Sequence, residues 1–195
     1  MVARWLGRIV FCIFSCIAVF GSSPASAQDQ TEIFGAILSH YYKNEKAIVK
    51  GRNQLLFTFC DRPANNEEIF ETVNALKLPA SEVKALRQKV AAENRPEDWS
   101  KEFSGLLESP ASAQLKSKVN DCLSLEQYQE KQKRFNLNNQ RLMIVYRPLF
   151  YDGGRSALVK VVFYRSIEHN NGAVLKLGLE NGKWAIKEFL NPWST

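Results

Sequence analysis

The last third of the chain alternates apolar and polar residues with a period of two, which is typical of strands that have one buried face. The alternation is clearest in residues 156–166, where the apolar residues of one face are Ala157, Val159, Val161 and Phe163. A strand of this kind must bury its apolar side against another layer. The pattern therefore predicts an antiparallel sheet over residues 141–190.

Turn signals that contain glycine divide this segment into four strands. Asp152-Gly153-Gly154 and Asn170-Asn171-Gly172 predict two of the turns. Asn181-Gly182 predicts the third, a two-residue hairpin loop, because a type I′ turn requires positive φ at both central residues. The sequence thus predicts a four-stranded antiparallel β-meander, with strands over residues 141–150, 156–166, 173–180 and 183–190.

The hairpin loop also sets the register of the last two strands. It pairs Glu180 with Lys183, so that opposite charges meet, and it stacks large apolar side chains on one face. On the other face the same register puts Lys176 opposite Lys187, a mildly unfavourable pair.

Residues 31–135 show helical periodicity instead. Thr31 is a candidate N-cap for a first helix, whose buried stripe would be Phe34, Ile37, Leu38 and Tyr41. Further helices are predicted after Asn65 or Asn66, over residues 80–93, with Pro96 as a first helical residue, and from a Ser124/Gln127 capping box to about Phe135. Residues 54–60 fit either a strand or a helix end. The fold class is therefore α+β, with the helical part 31–135 packed on the meander 141–190.

Residues 1–27 predict a cleavable signal peptide. Arg4 and Arg8 give a positive start, residues 9–20 are almost entirely apolar, and the tripeptide Ala25-Ser26-Ala27 follows. This order is typical of export signals cleaved after the last small residue. A membrane anchor is the alternative, but a span needs about 20 apolar residues and this run is shorter. We expect residues 28–195 to form one periplasmic or secreted domain without a membrane span.

Two cysteines, Cys60 and Cys122, remain once the leader is removed. In an oxidising compartment such a pair most simply forms one disulfide. The alternative makes Cys60 a reactive thiol with His169 as its base, and this requires the disulfide to be absent.

Excess positive charge is confined to the last quarter of the chain. From Arg141 onward there are eight Lys or Arg against four Asp or Glu, whereas residues 28–140 hold sixteen of each. The imbalance predicts a basic face for an anionic partner, and a solvated face that protects sheet edges is the alternative. Tyrosine and arginine are enriched in interfaces. The candidate binding face comprises Arg147, Arg155, Lys160, Arg165, Lys176, Lys187, Tyr146 and Tyr164.

Three short motifs of the meander carry a resemblance. Tyr146-Arg147-Pro148-Leu149-Phe150, Ala157-Leu158-Val159 and Asn181-Gly182-Lys183-Trp184-Ala185-Ile186 resemble the R-P-x-F, A-L-V and N-G-K-W-x-I strands of a group of uncharacterised secreted bacterial proteins. The last hairpin is also similar to that of nuclear transport factor-like and cystatin-like small domains. The group often has a Gly/Cys-rich segment between its second and third strands, where this chain has residues 166–171. The resemblance implies a meander and no particular activity.

Catalytic motifs do not emerge from the sequence. His40 and His169 are far apart and show no metal-binding spacing, and there is no nucleophile elbow, Walker A loop or dinucleotide fingerprint. We expect no cofactor, no metal and, given the modest charge and the compartment, no nucleic-acid partner. The sequence favours a non-enzymatic binding module for an anionic ligand or a protein partner. The alternatives are an envelope inhibitor or immunity-type protein, which would neutralise a toxin or hydrolase, and a hydrolase with a cryptic site.

Overall fold

The computed structural model describes residues 27–44, 56–93, 95–110, 119–135, 142–166 and 169–195, so residues 1–26 of the predicted leader lie outside the described residues. The described helices are α1 Ala27–Asn44, α2 Ile69–Ala75, α3 Ala80–Ala92, α4 Ser100–Glu108 and α5 Leu125–Phe135. The described strands are β1 Leu56–Phe59, β2 Asp61–Arg62, β3 Glu97–Asp98, β4 Val119–Leu123, β5 Leu142–Val145, β6 Leu149–Tyr151, β7 Ser156–Ser166, β8 His169–Glu180 and β9 Lys183–Ser194. The fold is α+β, as the sequence predicts.

Seven of these strands form one mixed sheet. Its order is β4–β1–β5–β7–β8–β9, and β6 pairs with β7 beyond the end of β5. Strands β5, β7, β8 and β9 are antiparallel as predicted, whereas β1 runs parallel to both β4 and β5. The predicted four-stranded sheet is therefore too small. The predicted strand 141–150 is divided into β5 and β6, and β1 and β4 join the sheet through pairings between distant parts of the sequence.

Helices cover both faces of this sheet. On one face, α1 and α4 pack over the odd-numbered residues of β7, and their buried residues include Phe34, Ile37 and Phe103. On the other face, α2 and α3 pack over Leu149, Leu158 and their neighbours. Burial of each such side chain contributes about 1.5–3 kcal/mol to folding. Helix α1 is tied to the last strand as well, since Trp184 Nε1 donates a hydrogen bond to Asp29 Oδ1 at 3.1 Å.

The predicted buried stripes are largely confirmed, but several helix starts differ from the predictions. Helix α1 already includes Ala27, so Thr31 lies inside it and is not its N-cap. The N-cap of α2 is Glu68, and Asn65 instead donates its Nδ2–H to the Arg147 carbonyl oxygen at 2.8 Å. Pro96 is not a first helical residue, because residues 97–98 form β3 before α4 begins at Ser100.

The capping box of α5 is confirmed. Ser124 N donates to Gln127 Oε1 at 2.8 Å, and Gln127 N donates back to Ser124 Oγ at 3.2 Å. These two reciprocal bonds satisfy donors that a helix leaves free at its start.

Two turn predictions had different outcomes. Asn181 and Gly182 both have positive φ, 50° and 74°, and connect β8 to β9 as predicted. Asn170-Asn171-Gly172, in contrast, is not a turn, because these residues lie inside β8 and pair with β7. Gly172 has another role, since a Cβ there would lie only 2.8 Å from Trp193 Cζ2. The glycine lets the indole ring pack closely over the strand.

Strand β9 contains a bulge that the predicted register lacks. Glu180 pairs with Lys183 as expected, but the register shifts after Ile186, and Glu188 lies opposite Lys176. The predicted contact between Lys176 and Lys187 is therefore wrong. The extra residue places a carboxylate opposite the lysine, with Lys176 Nζ 3.5 Å from Glu188 Oε2.

A disulfide joins Cys60, just after β1, to Cys122 in β4. The two Cα atoms are 4.9 Å apart, and the Cys60 amide donates to the Leu123 carbonyl oxygen at 3.1 Å. The bond thus crosslinks two parallel neighbours in the sheet. None of the described helices has the length and apolar character needed to span a membrane.

Candidate binding groove

The basic residues of the predicted binding face are paired with carboxylates. Arg155 Nη2 lies 2.9 Å from Asp152 Oδ1, and Lys160 Nζ lies 2.7 Å from Glu68 Oε2. The hydrogen bond from Lys160 lowers the pKa of the exposed Glu68 carboxyl below its usual value. Such pairing reduces the positive potential that an anionic partner would meet.

The remaining cations of this set follow the same pattern. Lys176 pairs with Glu188, and Lys187 pairs with Glu180. Arg147 Nε lies 3.6 Å from Glu93 Oε2 and 3.4 Å from Glu97 Oε2. The side chain of Arg165 lies outside the described residues. Each described cation of the predicted face therefore has a carboxylate beside it.

The tyrosines of the predicted face pack against neighbouring side chains. Lys160 Nζ lies 5.0 Å from the centroid of the Tyr146 ring, and the Tyr164 ring is 6.2 Å from the Tyr128 ring. Both tyrosines are half-buried. Tyr151 is buried in the core beneath α3, and its burial raises the pKa of its hydroxyl. These rings mainly cover the sheet.

One candidate of the set, Arg147, lines a groove between α3 and β6. The groove encloses about 490 Å³. Gln30 of α1 forms part of its wall on one side of the sheet, and Ala85 and Leu86 of α3 form the wall on the other side. The groove therefore lies at an edge of the sheet, between the two helical layers.

The path of the chain explains why this edge is open. β1 runs beside β5, and the chain follows the same line as far as Pro63, whose carbonyl oxygen accepts a hydrogen bond from Arg147 N at 3.2 Å. After Asn65 the chain turns away toward α2. Among the described strands, β6 consequently has only β7 as a partner, and the groove occupies the place beside its other edge.

Side chains of α3 bind the main chain along this open edge. Lys89 Nζ donates to the Phe150 carbonyl oxygen at 3.2 Å, and Asp152 N donates to Glu82 Oε1 at 2.5 Å. An edge strand presents main-chain N–H and C=O groups that no neighbouring strand pairs. An ammonium and a carboxylate thus provide the donor and the acceptor that a neighbouring strand would otherwise supply.

A strained turn closes one end of the groove. Asp152, Gly153 and Gly154 all have positive φ, at 51°, 62° and 85°. A Cβ at either glycine would meet nothing within 4 Å, so the turn needs glycine for its backbone conformation. Asp152 adopts a conformation that is costly for a residue with a side chain, and strain of this kind is concentrated at functional sites.

At the other end of the groove, a buried arginine holds the wall residue Gln30 in place. Arg62 is 3% exposed, its Nη2 binds Glu97 and donates to Gln30 Oε1 at 2.6 Å, and its guanidinium lies 4.9 Å from the centroid of the Trp99 ring. Burial lowers the pKa of this guanidinium. Because Glu97 also contacts Arg147, one carboxylate fixes both the Gln30 wall and the cation at the mouth of the groove.

The predicted disulfide is present, and it excludes the alternative in which Cys60 is a reactive thiol with His169 as its base. Within the described part of the chain, His, Cys, Asp and Glu side chains do not cluster in a way that could hold a metal ion. Gln30, Glu82 and Lys89 were missed by the sequence analysis, since exposed polar residues on a helix usually face solvent.

Comparisons of the chain with protein-family models, curated proteins and solved structures give no match.

Proposed function

We propose that the protein is an exported binding module that holds an extended segment of a partner protein in the groove between α3 and β6. The observation that carries the proposal is the open edge of β6, where main-chain groups, apolar side chains and charges of both signs line one cavity. Its volume of about 490 Å³ lies within the range of ligand sites in proteins, about 300–1,000 Å³.

The charges of the groove favour a peptide over a simple anion. Glu82 and Glu93 balance Lys89 and Arg147 along its walls. A balanced set of charges suits a segment that carries both acidic and basic groups, since complementary charges set specificity and register. Leu86 and Phe150 add apolar surface for its side chains.

Export is supported by the leader-like residues 1–27 and by the disulfide. Disulfides persist in oxidising compartments and are rare in the cytosol. Mass spectrometry of the protein from its native source tests this part of the proposal. We expect a chain that begins at Gln28 with Cys60 and Cys122 joined, and an intact Met1 with free thiols would contradict export.

The binding function is tested by selecting peptides from a random library displayed on phage. The bait is the full chain, expressed in an exporting host and recovered with its disulfide formed. Two exposed alanines of α3 provide matched variants, because Ala85 lines the groove and Ala91 does not. We expect selected peptides to bind Ala85→Arg at least tenfold more weakly than wild type and to bind Ala91→Arg unchanged. Equal binding to both variants, or no enriched peptide, would contradict the proposal.

A further inference from the structure

Within the described residues, the place beside the outer edge of β6 is occupied by the groove and not by a strand. β1 and the residues up to Pro63 run beside β5 and the residues that follow it, as far as Arg147. Beyond Arg147, among the described strands, β6 is paired only with β7. The groove continues the line of β1 between the two helical layers. Any strand that filled it would extend the sheet where β1 leaves it.

The main-chain groups on this edge are arranged as at any strand edge, and the line of β1, which runs parallel to β5, indicates the direction of a neighbour. Phe150 O and Asp152 N flank Tyr151, and both point to the groove, where Lys89 and Glu82 bind them. In a parallel pair, one residue donates its N–H to the residue before its partner and accepts from the residue after it. One residue of a parallel strand could therefore bind both groups. Pro148, which has no N–H, leaves no donor unpaired at the start of the edge.

The length of the groove limits the segment that it can hold. Glu82 and Lys89 are seven residues apart on α3, or about 10 Å at a rise of 1.5 Å per residue. An extended chain covers this distance with about three residues. The site is thus suited to a short strand.

We infer that the partner segment adds to the sheet as a parallel strand beside β6 and displaces Lys89 and Glu82 from Phe150 O and Asp152 N. This inference rests on the proposed function. Main-chain hydrogen bonds give affinity in strand addition, and side chains give specificity. The freed Lys89 then faces the first half of the segment and Glu82 the second half. The preferred ligand is an extended peptide with an acidic residue two or four positions before a basic one, since alternate side chains of a strand face α3.

The test uses the strongest peptide from the phage selection, synthesised with one N-methylated amide at a time. We expect one central N-methyl group to weaken binding at least tenfold and the amides on either side of it to tolerate methylation, since alternate amides of a strand point away from its partner. If every position tolerates methylation while Ala85→Arg still blocks binding, the peptide occupies the groove without strand addition. In that case the inference fails and the proposed function stands.

The direction of the peptide is tested by the order of charges that the wild type selects, and the roles of Glu82 and Lys89 are tested by exchanging these two charges. The double variant Glu82→Lys/Lys89→Glu should select peptides in which the basic residue precedes the acidic one, whereas Lys84→Glu, on the same helix but outside the groove, should keep the wild-type order. Wild-type peptides in which the basic residue comes first would overturn the parallel direction, and an unchanged order in the double variant would overturn the charge preference assigned to Glu82 and Lys89. A dimer of the chain alone that Ala85→Arg dissociates would assign the groove to a second copy and would also overturn the inference.

Discussion

At position 172, in the interior strand β8, the sheet has room for a glycine but not for a side chain. A Cβ built on Gly172 lies 2.6 Å from the Val161 carbonyl oxygen and 2.8 Å from Trp193 Cζ2. The first neighbour belongs to the backbone of β7 and cannot move freely. The second is a ring that is 37% exposed and covers the strand from the edge. A glycine that resembles a turn signal in the sequence therefore serves close packing.

We predict that Gly172→Ala lowers the free energy of unfolding by about 1–3 kcal/mol, the usual cost of overpacking. Gly105→Ala is the matched control, because a Cβ at Gly105, in α4, meets nothing within 4 Å. The control should be neutral or stabilising by up to about 1 kcal/mol, since alanine favours helix. Urea unfolding measures both variants, and equal stability of the two would contradict the packing argument.

The stability of the fold should depend more on the carboxylate partner of the buried Arg62 than on the partner of an exposed cation. Its side chain is 4% exposed and is bound by Glu97, whereas Arg87 and Glu67 form a pair whose side chains are 47% and 79% exposed. Loss of Glu97 leaves the buried charge of Arg62 uncompensated. Loss of Glu67 leaves the charge of Arg87 in contact with water.

We predict that Glu97→Gln lowers the free energy of unfolding by about 3 kcal/mol, and that Glu67→Gln changes it by less than about 1 kcal/mol. Denaturant titration of both variants at neutral pH provides the measurement. A small effect of Glu97→Gln would mean that water hydrates Arg62. The same variant should also weaken peptide binding, because Glu97 positions both Arg147 and, through Arg62, Gln30.

Among the elements, β9 shows how one residue can change the partner of a charge. Ile186 lies opposite Leu177 and Glu188 lies opposite Lys176, so Lys187 is the extra residue of the bulge. Beyond it, Leu190 packs against the core cluster of α2 and α3, and Asn191 Nδ2 donates to Thr72 Oγ1 at 3.1 Å. The bulge keeps Leu190 on the face of the sheet that α2 and α3 cover.

We predict that deletion of Lys187 changes the free energy of unfolding by less than about 1 kcal/mol, because only an exposed ion pair with Glu180 is lost and later pairs are kept. Deletion of Phe189 should cost more, about 2 kcal/mol, because Leu190 would turn to the opposite face. Thermal and urea unfolding compare the two deletions. The reverse order of stabilities would show that Lys187 is part of the regular ladder.

Local patterns predicted the elements whose partners are close in sequence. Strand β7, the Asn181-Gly182 loop and the capping box of α5 all follow from residues within a few positions of each other. Strand β4 was missed, and residues 56–59 of the ambiguous segment are a strand. Their pairing joins Thr58 to Cys122, and no local pattern carries a parallel contact across that distance.

Local sequence patterns could not predict the groove either. Its walls combine Gln30, α3 and residues near Arg147, which are brought together only when the sheet has formed. Arg147 was a candidate because of its charge, but the sequence does not reveal that Glu93 and Glu97 lie beside it. Pro148 lies near the end of the predicted strand 141–150, a position that suits an edge or a bulge but does not by itself indicate a groove.

For the whole molecule, the disulfide closes a loop between residues that are 62 positions apart. Such a crosslink reduces the entropy of the unfolded chain by an amount worth about 4 kcal/mol. We predict that Cys60→Ser/Cys122→Ser unfolds at a correspondingly lower urea concentration. Reduced wild-type protein should unfold at the same urea concentration as this variant. The reductant should not change the urea concentration at which the variant itself unfolds. A wild-type transition that is insensitive to reductant would contradict this contribution.

The hydrogen bond between Trp184 and Asp29 also determines when the molecule can be completed. A polypeptide that emerges from its amino terminus releases α1 first, but the strand that receives this helix comes last. The apolar stripe of α1 is fully covered only after Trp184 has emerged. Complete packing of α1 against the sheet therefore requires almost the entire chain, from Asp29 to Trp184.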